Sequence, residues 1–224
     1  MSRRALSALA LSAGLAAGPV AAHPHIFVET GLALLHDDDG RLTAIRVTWT
    51  YDELFSLLLL EDLGLDDDYD GVLRPEEVEA LQGFDMDWPD GFDGDLHVTA
   101  AGAPVALGPP VAEAAELLPN GMLRSTHVRP LEQPVDGAAE PVVVSPYDVT
   151  FYTAYEIDVA ATTTDSSDCH VVVYTPDLDA AYARLEAALA ELTDMGGDPF
   201  EPVEFPPVGD QFAEEARLTC DAGS

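Results

Sequence analysis

Residues 66–77 read Asp-Asp-Asp-Tyr-Asp-Gly-Val-Leu-Arg-Pro-Glu-Glu, and a stretch spaced in this way leaves its backbone few choices. Asp66, Asp68 and Asp70 stand at the first, third and fifth positions of a twelve-residue EF-hand calcium loop. Gly71 falls at the sixth, where the chain has to turn sharply, and Glu77 at the twelfth, where a bidentate carboxylate belongs. Calcium is a hard cation that takes six to eight oxygen ligands. Short acidic side chains spaced by two can wrap it, with the Val72 carbonyl as a further donor and Leu73 turned inward. Residues 52–63 and 75–82 carry helical character on either side, so an EF-hand helix–loop–helix is expected at about 52–83. Acidity alone would not explain Gly71, Leu73 or Glu77. Residues 85–95 are also acidic but out of register, with Pro89 where an oxygen ligand belongs, so the hand is expected to stand alone as a structural clamp.

Outside this stretch, alternation with a period of two dominates. Residues 25–35 and 42–50 read as a hairpin, and 96–100 with 104–107 as a second. Further strands are expected over 122–129, 141–144, 150–159, 169–174 and 212–220. The clearest helix is 177–192, where Leu178, Ala181, Leu185, Leu189 and Leu192 share one face and Asp177 and Asp179 favour the N-terminal end of the dipole. The expected fold class is therefore α+β: a mainly antiparallel sheet with the EF-hand inserted after the first hairpin and a C-terminal helix.

Residues 1–22 have the form of a secretion signal, with Arg3 and Arg4, an apolar core and Val20-Ala21-Ala22 as the cleavage site. The mature chain, from residue 23, is expected to form one periplasmic α+β domain without direct membrane insertion. The chain carries 42 acidic and 9 basic residues, a net charge of −33; loss of Arg3 and Arg4 leaves 42 against 7, or −35. Such a polyanion is a poor partner for nucleic acid or anionic membranes and a good one for cations. The overall acidity also suits a salty habitat, where screening relieves self-repulsion. Cys169 and Cys220 are the two cysteines. In an exported protein they are expected to form a disulfide, the alternative being thiolate ligation of a metal with His170.

Cleavage after Ala22 would expose His23-Pro24-His25. Along an extended strand His23, His25, Phe27 and Glu29 share a face, so two imidazoles and a carboxylate could meet, with His127 as a further ligand. That donor set suits zinc, nickel or copper. Read without a metal, Asp52 and Glu53 are a helix N-terminal pair, and Tyr147, Phe151, Tyr152 and Tyr155 are half-buried sheet packing.

Four ordered stretches carry a family likeness: 23–29 (His-Pro-His-Ile-Phe-Val-Glu), 49–56 (Trp-Thr-Tyr-Asp-Glu-Leu-Phe-Ser), the acidic loop, and 147–155 (Tyr-Asp-Val-Thr-Phe-Tyr-Thr-Ala-Tyr). Together they resemble the bacterial domain-of-unknown-function family 1007, described as the periplasmic component of an uncharacterised ABC-type transport system. The resemblance implies transport of zinc, nickel or cobalt beside a membrane permease. It places the family's histidine motif on His23 and His25, its acidic strand position on Glu29, and its later motifs on Trp49, Asp52, Glu53, Tyr147, Asp148 and Tyr152. Val149 departs from the Pro expected after Tyr-Asp. No metalloprotease, nucleophile-elbow or Cys–His signature is present, so no enzyme is expected. The expected function is a transition-metal-handling accessory (zinc or nickel) with a structural calcium at Asp66, Asp68, Asp70, Val72 and Glu77. The alternative is a calcium-stabilised binding or adaptor module with no transition metal.

Overall fold

In a computed structural model, residues 24–89, 91–194 and 205–221 are described. The elements run β1 (Ile26–His36), β2 (Leu42–Tyr51), α1 (Glu53–Leu63), α2 (Pro75–Leu81), β3 (Leu96–Ala100), β4 (Ala103–Pro104), β5 (Val111–Leu117) and β6 (Leu123–Val135). After these come β7 (Val142–Pro146), β8 (Thr153–Ile157), β9 (Thr163–Thr164), β10 (Cys169–Tyr174), α3 (Leu178–Asp194), a 3₁₀ turn (Gly209–Gln211) and β11 (Glu215–Cys220).

The α+β expectation is overturned. Among the described residues the molecule is mostly β, with 11 strands in two sheets and three helices that make up 19% of those residues. The first sheet is ordered β5-β6-β2-β1-β8 with β9 also on β1, and the second β10-β11-β7-β3-β4. The β1–β8 and β1–β9 pairings are parallel; the other ladders are antiparallel. Alternation along each strand turns one face inward, and the two inner faces meet in a shared core. Leu32, Val47 and Leu123 come from the first sheet, and Val98, Val142, Val144 and Leu218 from the second. A smaller cluster lies where Ala181 and Leu185 of α3 pack on Phe151 and Phe212.

The inserted EF-hand is not evident either. α1 begins on Asp52, whose carboxylate accepts from the Phe55 N–H at 2.9 Å, and ends on Gly64 at φ 64°. α2 has only seven residues. Glu77, the expected bidentate ligand, is only 4% exposed and already engaged by protein donors. Its carboxylate takes the Arg74 N–H at 2.7 Å and the Arg74 guanidinium at 2.5 Å, and accepts from the Asp66 N–H at 3.3 Å. An Arg three residues before a helical Glu competes for that carboxylate, and the spacing rule for calcium loops does not register it.

The disulfide does form. Cys169 and Cys220 are direct partners across the β10–β11 ladder, bonded and 3.9 Å apart between Cα atoms. Among the described residues no helix is long and apolar enough to cross a membrane.

Candidate functional site

β-sheet register lines up a row across three strands of the first sheet: Tyr51 of β2 and Tyr155 of β8 both stand opposite Val28 of β1. Opposed residues share a face, so the two phenols flank one small aliphatic side chain on the inner side. Each phenol is committed to a carboxylate from the segment that follows α2. Tyr51 donates to Asp85 at 2.8 Å and Tyr155 to Asp95 at 2.9 Å. Asp85 also accepts from the Ser125 hydroxyl. These two anchors draw residues 83–89 and 91–95 across the inner face of the sheet.

Between the anchored segment and the sheet lies a cavity of about 430 Å³, within the range of small-molecule sites. Trp49, Tyr51 and Tyr155 line it from the sheet, Phe55 from α1, and Trp88 and Phe92 from the covering segment. Its polar lining includes Asp85, Asp95 and Asp148, and among the described residues no basic side chain faces it. Trp88 is fixed from behind: its Nε1 donates to the Asp85 carbonyl at 2.7 Å, and the Arg129 guanidinium sits 4.8 Å from its ring centroid. Gly94, at φ 81°, presses its backbone on the same ring, where a Cβ would come within 2.3 Å of the indole, so only glycine fits there.

Burial sets the electrostatics. Asp95 is pushed up to about 7, chiefly by desolvation and further by the Asp148 and Asp93 charges, against the Tyr155 hydrogen bond. Tyr51 and Tyr155 are raised well above the usual phenol value by burial and by their aspartates. Asp148 is held by the Thr150 N–H and hydroxyl and by the Thr153 N–H, at 2.8–3.0 Å.

Residues 8–220 match the family described as "Protein of unknown function (DUF1007)". The chain belongs to the DUF1007 family. A search of curated proteins returns no match. Three of the four stretches that carry the likeness to DUF1007 reach the cavity, among their residues Val28, Trp49, Tyr51, Phe55, Asp148 and Tyr155. Asp52 does not: it caps α1 and takes the Phe27 N–H at 2.9 Å, pinning the start of β1 to the start of the helix. Tyr147 stacks on His97 at 3.7 Å, and Tyr152 lies 4.8 Å from the exposed His25.

The tentative transition-metal residues are not gathered. His23 lies outside the described residues. His25 and Glu29 are four residues apart on extended chain, about 13 Å, which is too far for two side chains to reach one zinc ion at about 2 Å each. Glu29 is exposed and its register partner is Thr50, whereas His127 stands opposite Val47 on the inner face, 0% exposed. The sheet therefore separates them. His127 packs edge-on against Trp49 at 4.6 Å, without a hydrogen-bond partner at either nitrogen, and burial lowers its pKa to about 4. In the acidic loop, by contrast, carboxylate oxygens of Asp66, Asp68 and Asp70 lie within 4.8 Å of one another. The Asp66 carboxylate also takes the Asp70 and Gly71 N–H groups at 3.1–3.3 Å, which folds the loop back on itself.

Asp85, Asp95, Trp88 and Phe92 fall in a stretch whose acidic spacing resembles a calcium loop out of register and hides their part in the cavity. Aromatic side chains interleaved with Asp were the available signal.

Proposed function

We propose that this DUF1007 chain is an exported, calcium-stabilised binding module, and that its ligand site is the aromatic cavity under residues 83–89 and 91–95. The observation that carries this reading is the cavity itself: about 430 Å³ of aromatic-walled space held open by two tyrosine–aspartate anchors. Export rests on the leader-like residues 1–22, which lie outside the described residues. A soluble component beside a membrane permease, as the family likeness implies, would need such a site.

Calcium at Asp66, Asp68 and Asp70 fits the all-oxygen donor set and its convergence within 4.8 Å. The ion would clamp the loop that leads into α2 and the cavity cover. With a dissociation constant near 0.1 mM, about 10 mM calcium stabilises by about 2.7 kcal/mol. That corresponds to a melting temperature raised by about 5–10 °C for a domain of this size. Scanning calorimetry of mature protein should show the rise and lose it in Asp68→Asn/Asp70→Asn. Native mass spectrometry of protein taken gently from the periplasm should show a bound small molecule that Trp88→Ala releases. A bare protein in both forms would remove the binding-module reading, and a calcium-indifferent melt would remove the ion.

A second reading keeps a transition metal on His23 and His25 in a metal-handling accessory; the exposed position of His25 favours it. Calorimetric titration with zinc, nickel and copper should then lose its heat in His23→Ala/His25→Ala. Matching isotherms for the two proteins end it.

A further inference from the structure

Resting on the binding-module reading, we propose that the cavity selects an organic ammonium ion, a small amine or quaternary ammonium compound, with its charge toward Asp85 and Asp95 and its alkyl groups on the rings. Three features on the site's own walls lead there. Its charged lining groups are the carboxylates Asp85, Asp95 and Asp148, with no basic side chain facing in among the described residues, so an anionic ligand would meet repulsion from every side. Its remaining lining is largely aromatic, from Trp49, Tyr51, Phe55, Trp88, Phe92 and Tyr155, and the faces of such rings are the surface on which weakly hydrated cations are stabilised. Trp88 already takes one cation, the Arg129 guanidinium, which is itself spent on the Gly108 and Asp93 carbonyls.

A metal ion is disfavoured by the same walls. Calcium needs six to eight oxygens, and zinc needs nitrogen, sulfur or carboxylate ligands at about 2 Å. Here the carboxylates are engaged by Tyr51, Ser125 and Tyr155 hydroxyls and separated by aromatic rings. A neutral apolar ligand would fill the space but would leave the half-buried carboxylates without a counter-charge, the costly arrangement in a low-dielectric site. An ammonium ion supplies that counter-charge and keeps its alkyl surface on carbon.

The closing experiment compares two probes of nearly equal shape, choline and the uncharged 3,3-dimethylbutan-1-ol, titrated calorimetrically into mature wild-type protein at pH 8. Choline is expected to bind at least about tenfold more tightly than the alcohol, a difference of about 1.4 kcal/mol. Its affinity should fall as the pH drops through about 7, where Asp95 takes up a proton in an environment that includes Asp93, Asp148 and Tyr155. Asp85→Asn and Asp95→Asn preserve an acceptor for each phenol, and each should cost choline about tenfold or more while the alcohol is unaffected. Equal affinity for the two probes overturns the charge preference while leaving the cavity a ligand site. Absence of saturation by about 50 mM choline, well beyond a millimolar constant, overturns the ammonium assignment outright. Neither result touches the co-purified ligand, whose absence is the failure of the binding-module reading itself.

Discussion

Asp95→Asn should melt higher than the wild type at pH 8 and lose that advantage by pH 4. The Asp95 carboxyl has its folded value at about 7 against 3.8 for an ordinary aspartate. A group raised in this way favours the folded state fully below pH 3.8, and that contribution drains away as pH climbs through 7. The full interval of about 3 units corresponds to about 4 kcal/mol, and partial exposure of Asp95 reduces this to roughly 2 kcal/mol. Asparagine keeps an oxygen for the Tyr155 hydroxyl and has no charge to bury. His127 slopes the opposite way. Its folded value of about 4 lies below the ordinary 6.5, so its contribution is present above pH 6.5 and is lost as pH falls toward 4. The wild type should therefore show a shallow stability profile between pH 4 and 7, in which two opposed slopes largely cancel. Asp95→Asn exposes the histidine slope and becomes acid-labile; His127→Leu exposes the aspartate slope and becomes alkali-labile. Urea midpoints at pH 4, 6 and 8 for the three proteins read this directly. Parallel profiles for wild type and Asp95→Asn would refute the burial cost assigned to that carboxyl. The asparagine variant should also be the poorer binder of choline, since the buried charge that weakens the fold is the one that meets the ligand.

Strands were the most legible part of this chain, and their assembly the least. Alternation marks a half-buried strand wherever it falls, so β1, β2, β3 and β10 sit within a residue or so of where the sequence places them. Alternation does not say which sheet a strand joins, so a two-sheet structure was read as one sheet with helices attached. β5 was invisible, because Val-Ala-Glu-Ala-Ala-Glu-Leu has the composition of a helix and is extended only through pairing with β6 at the sheet edge. β6 reverses the usual code. Its inward positions are Leu123, Ser125, His127, Arg129 and Leu131, while Val128 faces outward. The polar residues are inward because the covering segment needs them: Ser125 anchors Asp85, and Arg129 braces Trp88 and the Asp93 and Gly108 carbonyls. Nothing local to β6 records that need, which is why His127 was drawn toward Glu29 on the wrong side of the sheet. Glu77 is held by Arg74 for a local reason, their spacing of three residues at the start of α2. The cavity was the least legible feature of all, since Tyr51 and Tyr155 become neighbours only through the parallel β1–β8 pairing of residues more than a hundred positions apart.

Replacing both Cys169 and Cys220 by serine should cost about 4 kcal/mol, because the bond closes a stretch with a sequence separation of 51 and so removes a large part of the unfolded chain's freedom. The strand geometry adds little to this figure, since Cys169 and Cys220 are already register partners and β10 and β11 pair along their whole length. The effect thus belongs chiefly to the unfolded state, and it has a signature beyond a lower urea midpoint. A chain freed of the crosslink expands further on unfolding, so the serine variant should also show a larger m value. A lowered midpoint at unchanged m would place the stabilisation in native contacts and refute the chain-entropy account. The disulfide lies beside His36 at the far end of β1 from Val28, about 26 Å along the strand, so the folded variant should bind choline as the wild type does. Loss of stability with retained binding would separate the staple at one end of the sandwich from the aromatic cavity at the other. Loss of both together would mean that β11, which carries the pairing of β10 onward to β7, also governs the inner face on which the cavity is built.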